Sequence, residues 1–409
     1  MIINFSVQNF GSIKDKQTLS FEADKSTHLE NHYIINATGG LRLLKLALIY
    51  GANASGKTTV LKAIEFLRDL VLEPADKKTD SLDFSPFLFD AETPKQNTII
   101  SIDFIQNEVR YFYEVELNKN AILREELNFY HPNKANVFKR TTNIDKQFTE
   151  ITFGSKIKKD KIIEKILEAN TLWNNTVLGG FLKTNIDIKE LKEVTDWFEE
   201  CLAPIVLTNT AVDDYITNQI ESSNINKKNV VPILKKADFN ISDIVINKEE
   251  KRKITSLNIE FEHTVNQVAY SLPIEMESQG TKRFYGFAGL FSLLIKHFVV
   301  IPIDELEASL HPDLYIHFLL SFLINSKKSQ LIATTHNREI LSNKDIFRND
   351  AIWFTDKSEN SATELYSLSE FDTSVVRDTS NIFNAYKTGK LGGTPNLGDY
   401  YINIDDEKN

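Results

Sequence analysis

A single cysteine, Cys201, stands in a chain of 409 residues. No intrachain disulfide can therefore form, and no zinc site built on several thiolates exists. Such sparing use of cysteine fits a reducing cytoplasm. No run of 18 or more apolar residues occurs: the longest, around Leu290–Ile295 and Phe298–Ile303, are interrupted by Lys296 and His297, so no membrane span is expected. The opening Met1-Ile2-Ile3-Asn4-Phe5 has no basic stretch ahead of an apolar core, and no signal peptide is expected. Positive charge is in deficit, with 47 Lys and Arg against 57 Asp and Glu and a net charge of −10. That excludes a chain whose whole surface reads nucleic acid and leaves only a local basic face. Internal repeats, low-complexity tracts and sustained heptads are absent as well.

What is present is ordinary for a globular protein: 42% hydrophobic and 25% charged residues. The length predicts either one large domain with an insertion or two domains. Residues 43–50, Leu-Leu-Lys-Leu-Ala-Leu-Ile-Tyr, read as one buried strand, followed by a glycine-bearing loop and a helix from Thr58 to about Leu72 that Pro74 ends. Residues 98–130 alternate as an antiparallel β-meander. Residues 133–165 carry nine basic and four acidic side chains, a local +5, while 187–200 carry −4. Helical spacing dominates from about 155 to 240. Strands return over 243–270, and helices alternate with short buried strands up to Thr334, the signature of a parallel sheet. The expected organisation is an N-terminal half over 1–140, a helical insertion over 141–242 and a C-terminal half over 243–409.

Four motifs carry chemistry. Gly51-Ala52-Asn53-Ala54-Ser55-Gly56-Lys57-Thr58 matches the P-loop pattern between a buried strand and a helix. Its glycines let backbone N–H groups turn toward phosphates, aided by the helix N-terminus. Lys57 would reach the β- and γ-phosphates and Thr58 would ligate Mg²⁺, with Thr59 next in line. Val299–Glu305 is an apolar strand ending in two carboxylates, the Walker B arrangement: Asp304 would hold Mg²⁺ and Glu305 would polarise the attacking water. Pro302 inside that strand predicts a local irregularity. Some twenty residues earlier, Ser278-Gln279-Gly280 opens a helix, and Ser278 reads equally as an ordinary N-cap. Thr334-Thr335-His336 follows the next buried strand, and Glu307–Pro312 lies between.

This ordered set resembles the ABC-type ATPases of the SMC and RecF kind. More narrowly, it resembles the stand-alone AAA-type ATPases of bacterial anti-phage and abortive-infection operons, the RloA-like and AriA-like group. Val7-Gln8-Asn9-Phe10-Gly11-Ser12-Ile13, Ser85-Pro86-Phe87 and the late Asn384–Pro395 stretch are similar to that group too. The resemblance implies an α/β, ABC-type P-loop NTPase fold with a mixed central sheet, an antiparallel β subdomain and a helical insertion. It implies that Ser278, Gln279 and Gly280 act as the signature motif, binding the γ-phosphate held by the opposite subunit. Glu307–Pro312 takes the D-loop position, and His336 becomes the switch histidine. It further implies a head-to-tail homodimer, or a higher homo-oligomer, sandwiching ATP, and a separate effector encoded next door. Two departures stand out: Glu277 replaces the usual leucine, and only Gln96 and Gln106 offer themselves for the glutamine that normally couples Mg²⁺.

Two other readings compete. A RecF- or SMC-like repair ATPase would bind DNA, for which the basic stretch Lys134–Lys165 is the candidate contact. A self-contained nuclease would need an acidic metal centre on a further domain, yet only about seventy residues follow His336. The acids Asp399, Asp405, Asp406 and Glu407 read as a solvated tail.

Overall fold

The computed structural model describes residues 1–157, 161–237, 239–251, 254–371 and 382–395, with side chains at 249–251 and 254–256 outside the description. The tail acids therefore lie outside the described residues, as do Lys158, Lys159 and Asp160 of the basic stretch.

The central sheet has the order Val300–Ile303, Gln330–Thr334, Leu46–Gly51, Ile352–Lys357, Thr363–Ser367. The first four strands are parallel and the last is antiparallel. Strands buried on both faces need continuous apolar runs, and every residue of Leu46–Gly51, Val300–Ile303 and Gln330–Thr334 is buried. The helix Pro312–Asn325 connects Val300–Ile303 to Gln330–Thr334, Lys57–Leu72 follows Leu46–Gly51, and Gln279–Lys296 precedes Val300–Ile303. Loops at the C-terminal ends of parallel strands form the usual ligand crevice of such sheets.

A seven-stranded antiparallel sheet stands beside it, in the order Phe148–Phe153, Lys134–Asn143, Ile122–Tyr130, Val109–Leu117, Thr98–Gln106, Ile2–Gln8, Gln17–Ser20. Here the pattern alternates: Tyr111, Tyr113, Val115 and Leu117 point inward between partly exposed neighbours. Gln330 joins the two sheets. Its side chain accepts from the Ile2 N–H at 2.6 Å and donates to the carbonyls of Ile2 and Leu44 at 2.9 and 3.1 Å. A third, three-stranded sheet comprises Asp243–Lys251, Ile254–Val265 and Val268–Pro273. The fold is thus α/β, with a mixed central sheet, an antiparallel subdomain and intervening helices.

Three local expectations differ from the structure. The strand expected over 43–50 is split: Arg42–Leu44 pairs with Ile34–Asn36 in a separate ribbon, and only Leu46–Gly51 enters the central sheet. The break is Lys45, whose buried ammonium donates to the carbonyls of Leu323 and Ser326 at 3.0 and 2.6 Å. There it satisfies the open end of the helix Pro312–Asn325, while burial lowers its pKa. The meander also continues past residue 140, because Lys134–Asn143 and Phe148–Phe153 extend the sheet; the boundary expected at 140/141 falls inside a strand. Finally, Pro302 keeps a regular ladder with Gln330–Thr334. Its carbonyl accepts from the Val206 N–H at 2.9 Å. The missing donor thus faces the short edge segment 202–206, which makes only isolated parallel bridges.

The helical stretch 161–236 is bound into both sheets. Thr176 caps Val177–Leu182 and donates to the Leu70 carbonyl at 3.0 Å. Trp197 stacks on Phe104 with centroids 4.1 Å apart. Lys189–Asp196 ends in a single wide turn at Trp197–Cys201. Among the described residues no helix is long and apolar enough to cross a membrane.

Candidate functional site

The P-loop has the backbone its glycines allow. Gly56 has φ 106°, in the left-handed region where a side chain is strained. A Cβ there would lie 2.1 Å from Thr363 Oγ1, and one on Gly51 would lie 2.3 Å from Thr355 Oγ1. Ala54 adopts φ 60° despite its Cβ, a local strain of the kind that collects at ligand loops. Lys57 is buried, and its ammonium donates to the carbonyls of Gly51 and Ala52 at 2.9 and 3.1 Å. Burial lowers its pKa against the opposing pull of Asp304, Glu305 and Glu307.

The Walker B carboxylate meets the loop directly. Thr58 Oγ1 lies 3.1 and 3.0 Å from the two Asp304 oxygens, and Thr334 Oγ1 donates to Asp304 Oδ1 at 2.6 Å. Glu305 has φ 48°, a second left-handed non-glycine residue, and its N–H donates to Thr334 Oγ1 at 2.8 Å. His336 donates its backbone N–H to Glu307 Oε1 at 2.5 Å. The residue keeps an open edge toward the cleft, yet loss of water around the ring, and then the Lys57 charge, push its pKa below the ordinary value. Gly51, Asn53, Ser55, Glu305 and His336 share one cleft of about 920 Å³.

The hydroxyl–carboxylate pair Thr58–Asp304 is the hard oxygen set that Mg²⁺ prefers, with phosphate and water completing its shell. Among the described residues no group of three or more His, Cys, Asp and Glu could hold a metal alone, and a magnesium–nucleotide complex needs none. The close-packed glycines and the loop at the helix N-terminus fit a polyphosphate.

The residues expected to form the signature motif lie elsewhere. Ser278 and Gln279 are exposed, and Ser278 caps its helix by accepting from the Thr281 N–H at 3.0 Å. None of Ser278, Gln279 and Gly280 lines the P-loop cleft. A Cβ on Gly280 would lie 3.0 Å from the Ser309 carbonyl, so this turn abuts the segment Glu307–Pro312 of its own chain.

Several positioning residues escaped the sequence reading. Ser12 Oγ bonds Thr59 Oγ1 at 3.0 Å and accepts from Thr363 at 2.8 Å, so Thr59 is braced by the opening loop. Ser55 pairs with Thr355 at 2.6 Å. Arg283, on the helix Gln279–Lys296, donates to the carbonyls of Thr208 and Glu305 at 3.0 and 3.4 Å, and burial lowers its pKa. The Asn9-Phe10-Gly11-Ser12 string was the available signal for the first of these. Neither Gln96 nor Gln106 lines the cleft; instead the segment ending at Val206 runs beside Asp304, whose N–H donates to the Val206 carbonyl at 2.8 Å.

Comparisons with known proteins follow this geometry. The SMC head domain from Thermotoga maritima is similar at 14% identity and a TM-score of 0.42, covering 90% of this chain and 98% of that one. An SMC head bound to the C-terminal winged-helix domain of ScpA has 16% identity and a TM-score of 0.46, with 90% and 97% coverage. The Pyrococcus furiosus SMC head with an extended coiled coil, bound to the C-terminal domain of ScpA, has 13% identity and a TM-score of 0.42, with 95% and 98% coverage. No curated protein matches the sequence. A family profile described as "AAA domain, putative AbiEii toxin, Type IV TA system" matches residues 46–342. That span runs from the P-loop strand through Walker B to beyond His336, and the chain is a member of this AAA-domain family of P-loop ATPases.

Proposed function

We propose that the chain binds and hydrolyses Mg²⁺-ATP and uses the nucleotide to join two copies head to tail. The observation that carries this reading is the division of the site. Lys57, Thr58, Asp304, Glu305 and His336 converge around the P-loop, while the Ser278-Gln279-Gly280 turn, with Ser278 and Gln279 exposed, stands outside that cleft. A second copy would supply the missing donors. Lys57 and the P-loop N–H groups hold the phosphates, and Thr58 and Asp304 hold the magnesium, which neutralises charge on the phosphates when bound. Glu305 takes the proton from the attacking water. His336, whose pKa its surroundings lower, donates its ring N–H to the terminal phosphate.

Size-exclusion chromatography of Glu305→Gln with and without ATP tests the reading. The expected result is a nucleotide-dependent shift to a larger assembly, absent in Lys57→Ala. ATP binding by Glu305→Gln without any change in size would remove the sandwich.

In the cell, the reading is a nucleotide-driven switch of anti-phage defence that holds or releases a separate effector. The motif resemblance and the toxin–antitoxin wording of the family support it. Plaque counts for cells carrying the gene with its neighbouring open reading frame, against Lys57→Ala, test that role. The DNA-binding alternative has less to stand on. Of its candidate basic face, Arg140 is buried beside Glu125 at 4.0 Å, and Lys139 pairs with Glu126 at 3.7 Å. A DNA reader should bind with a steep salt dependence.

A further inference from the structure

The cleft before the P-loop is lined by two cations that the P-loop, Walker B and signature motifs do not include, Arg338 and Lys357, and the Lys357 ammonium donates to the Ser361 carbonyl at 2.9 Å. Arg338 lies two residues beyond His336, half-buried, and lines the cleft with Gly51, Asn53, Glu305 and His336. Arg42, Arg68, Arg110, Arg124, Arg140 and Arg348 each pair with a carboxylate. Among the described residues Arg338 has no such partner, and its side chain makes no hydrogen bond. Its guanidinium carbon instead stands 5.4 Å from the centroid of the Tyr386 ring, a cation–π distance.

The ring is itself anchored to the P-loop. Tyr386 is 3% exposed and packs edge-on against Tyr50 at 5.7 Å. Its hydroxyl donates to the Gly393 carbonyl at 2.9 Å, and the Gly393 N–H donates to Asp356 Oδ2 at 2.9 Å. Gly393 has φ 63°, and a Cβ on it would lie 3.2 Å from the Thr355 carbonyl and 3.5 Å from Gly51 Cα. The late Asn384–Pro395 motif thus builds an aromatic platform against the root of the P-loop. A guanidinium on such a platform, ion-paired with no described carboxylate although Glu305 and Asp356 line the same cleft, is preorganised for a bidentate anion.

We propose that Arg338, carried on Tyr386, binds the terminal phosphate of a nucleoside triphosphate in its own subunit. It shares the cleft with Glu305 and His336, which fixes the terminal end rather than the α-phosphate. The proposal rests on the reading that the P-loop binds ATP.

Titration calorimetry of the full chain, with Mg²⁺ and either a non-hydrolysable ATP analogue or ADP, tests it. Arg338→Gln should weaken the triphosphate about tenfold or more and the diphosphate less than about threefold, as expected for loss of one charge-assisted contact. Arg338→Lys should recover part of the loss. Tyr386→Leu should weaken the triphosphate by less, and adding it to Arg338→Gln should weaken binding no further. Thermal unfolding of Arg338→Gln should match that of the wild type. Equal binding of both nucleotides by Arg338→Gln and wild type would overturn the assignment while Lys57→Ala still loses them, leaving the P-loop reading intact. Equal losses for both nucleotides would overturn it too. So would intact binding with lost ATP-dependent assembly, which would place the arginine across the interface. A wild type that binds neither nucleotide overturns both readings together.

Discussion

Two buried carboxylates in different regions are held in opposite ways. Glu125 lies at the seam between the antiparallel sheet and the helical insertion. Its oxygens accept from the Val177 N–H at 2.7 and 3.0 Å and from the Tyr113 hydroxyl at 2.8 Å, with Arg140 Nη1 at 4.0 Å. Burial still pushes its pKa up, against the pull of Arg140. Asp304 lies at the end of a parallel strand and is met by the hydroxyls of Thr58 and Thr334. A backbone N–H at a helix start cannot be redirected, whereas a hydroxyl can rotate to another partner. The first carboxylate is committed to the fold. The second keeps coordination capacity for a ligand.

The sharpest way to break this contrast is Glu125→Ala. It leaves Arg140 as an unpaired buried charge and should destabilise the protein by about 3–5 kcal/mol in urea unfolding. Nucleotide affinity of the folded fraction should stay the same. The double variant Glu125→Leu, Arg140→Met should regain most of that stability, because a buried ion pair often exchanges for apolar packing at little net change. Asp304→Asn should do the reverse, shifting stability by less than about 1 kcal/mol while lowering Mg²⁺-dependent phosphate release about a hundredfold. Chelation of Mg²⁺ should reproduce that loss in the wild type.

Gly51→Ala sharpens the comparison on the nucleotide side. Its Cβ would meet Thr355 Oγ1, Ser55 Oγ and the Thr355 carbonyl at 2.3, 2.4 and 2.7 Å, which should cost about 1–3 kcal/mol as overpacking. The smallest effect is electrostatic. An NMR titration should place His336 below the ordinary imidazole value of 6.5, and Lys57→Ala should move it upward, since the Lys57 charge is the second cause of the depression. Because the unfolded state takes up this proton first, the group subtracts stability as pH falls from about 6.5 through the folded pKa and contributes nothing above that window.

The P-loop and the strand ending in Asp304-Glu305 were legible because each is a local pattern: a glycine loop at a helix start, an apolar run capped by acids. The alternation of the meander was legible for the same reason. Lys45 was not, since a lysine inside an apolar run gives no sign that two carbonyls some 280 residues later will take its charge. The strands Lys134–Asn143 and Phe148–Phe153 were masked by the charge count, which offered the stretch as a candidate DNA contact although Arg140 is buried beside Glu125.

Sequence alone determined which groups can do phosphate chemistry here, because helix starts, glycine turns and strand ends are written within a few neighbouring residues. Only the tertiary structure decided which of them meet. Ser12, Thr355 and Thr363 reach the P-loop, and Tyr386 carries Arg338 beside it, through packing between segments from tens to hundreds of residues apart. The same packing leaves the Ser278 turn outside the cleft of its own chain. Side-chain directions across such distances follow from how the sheets stack, which no local pattern encodes.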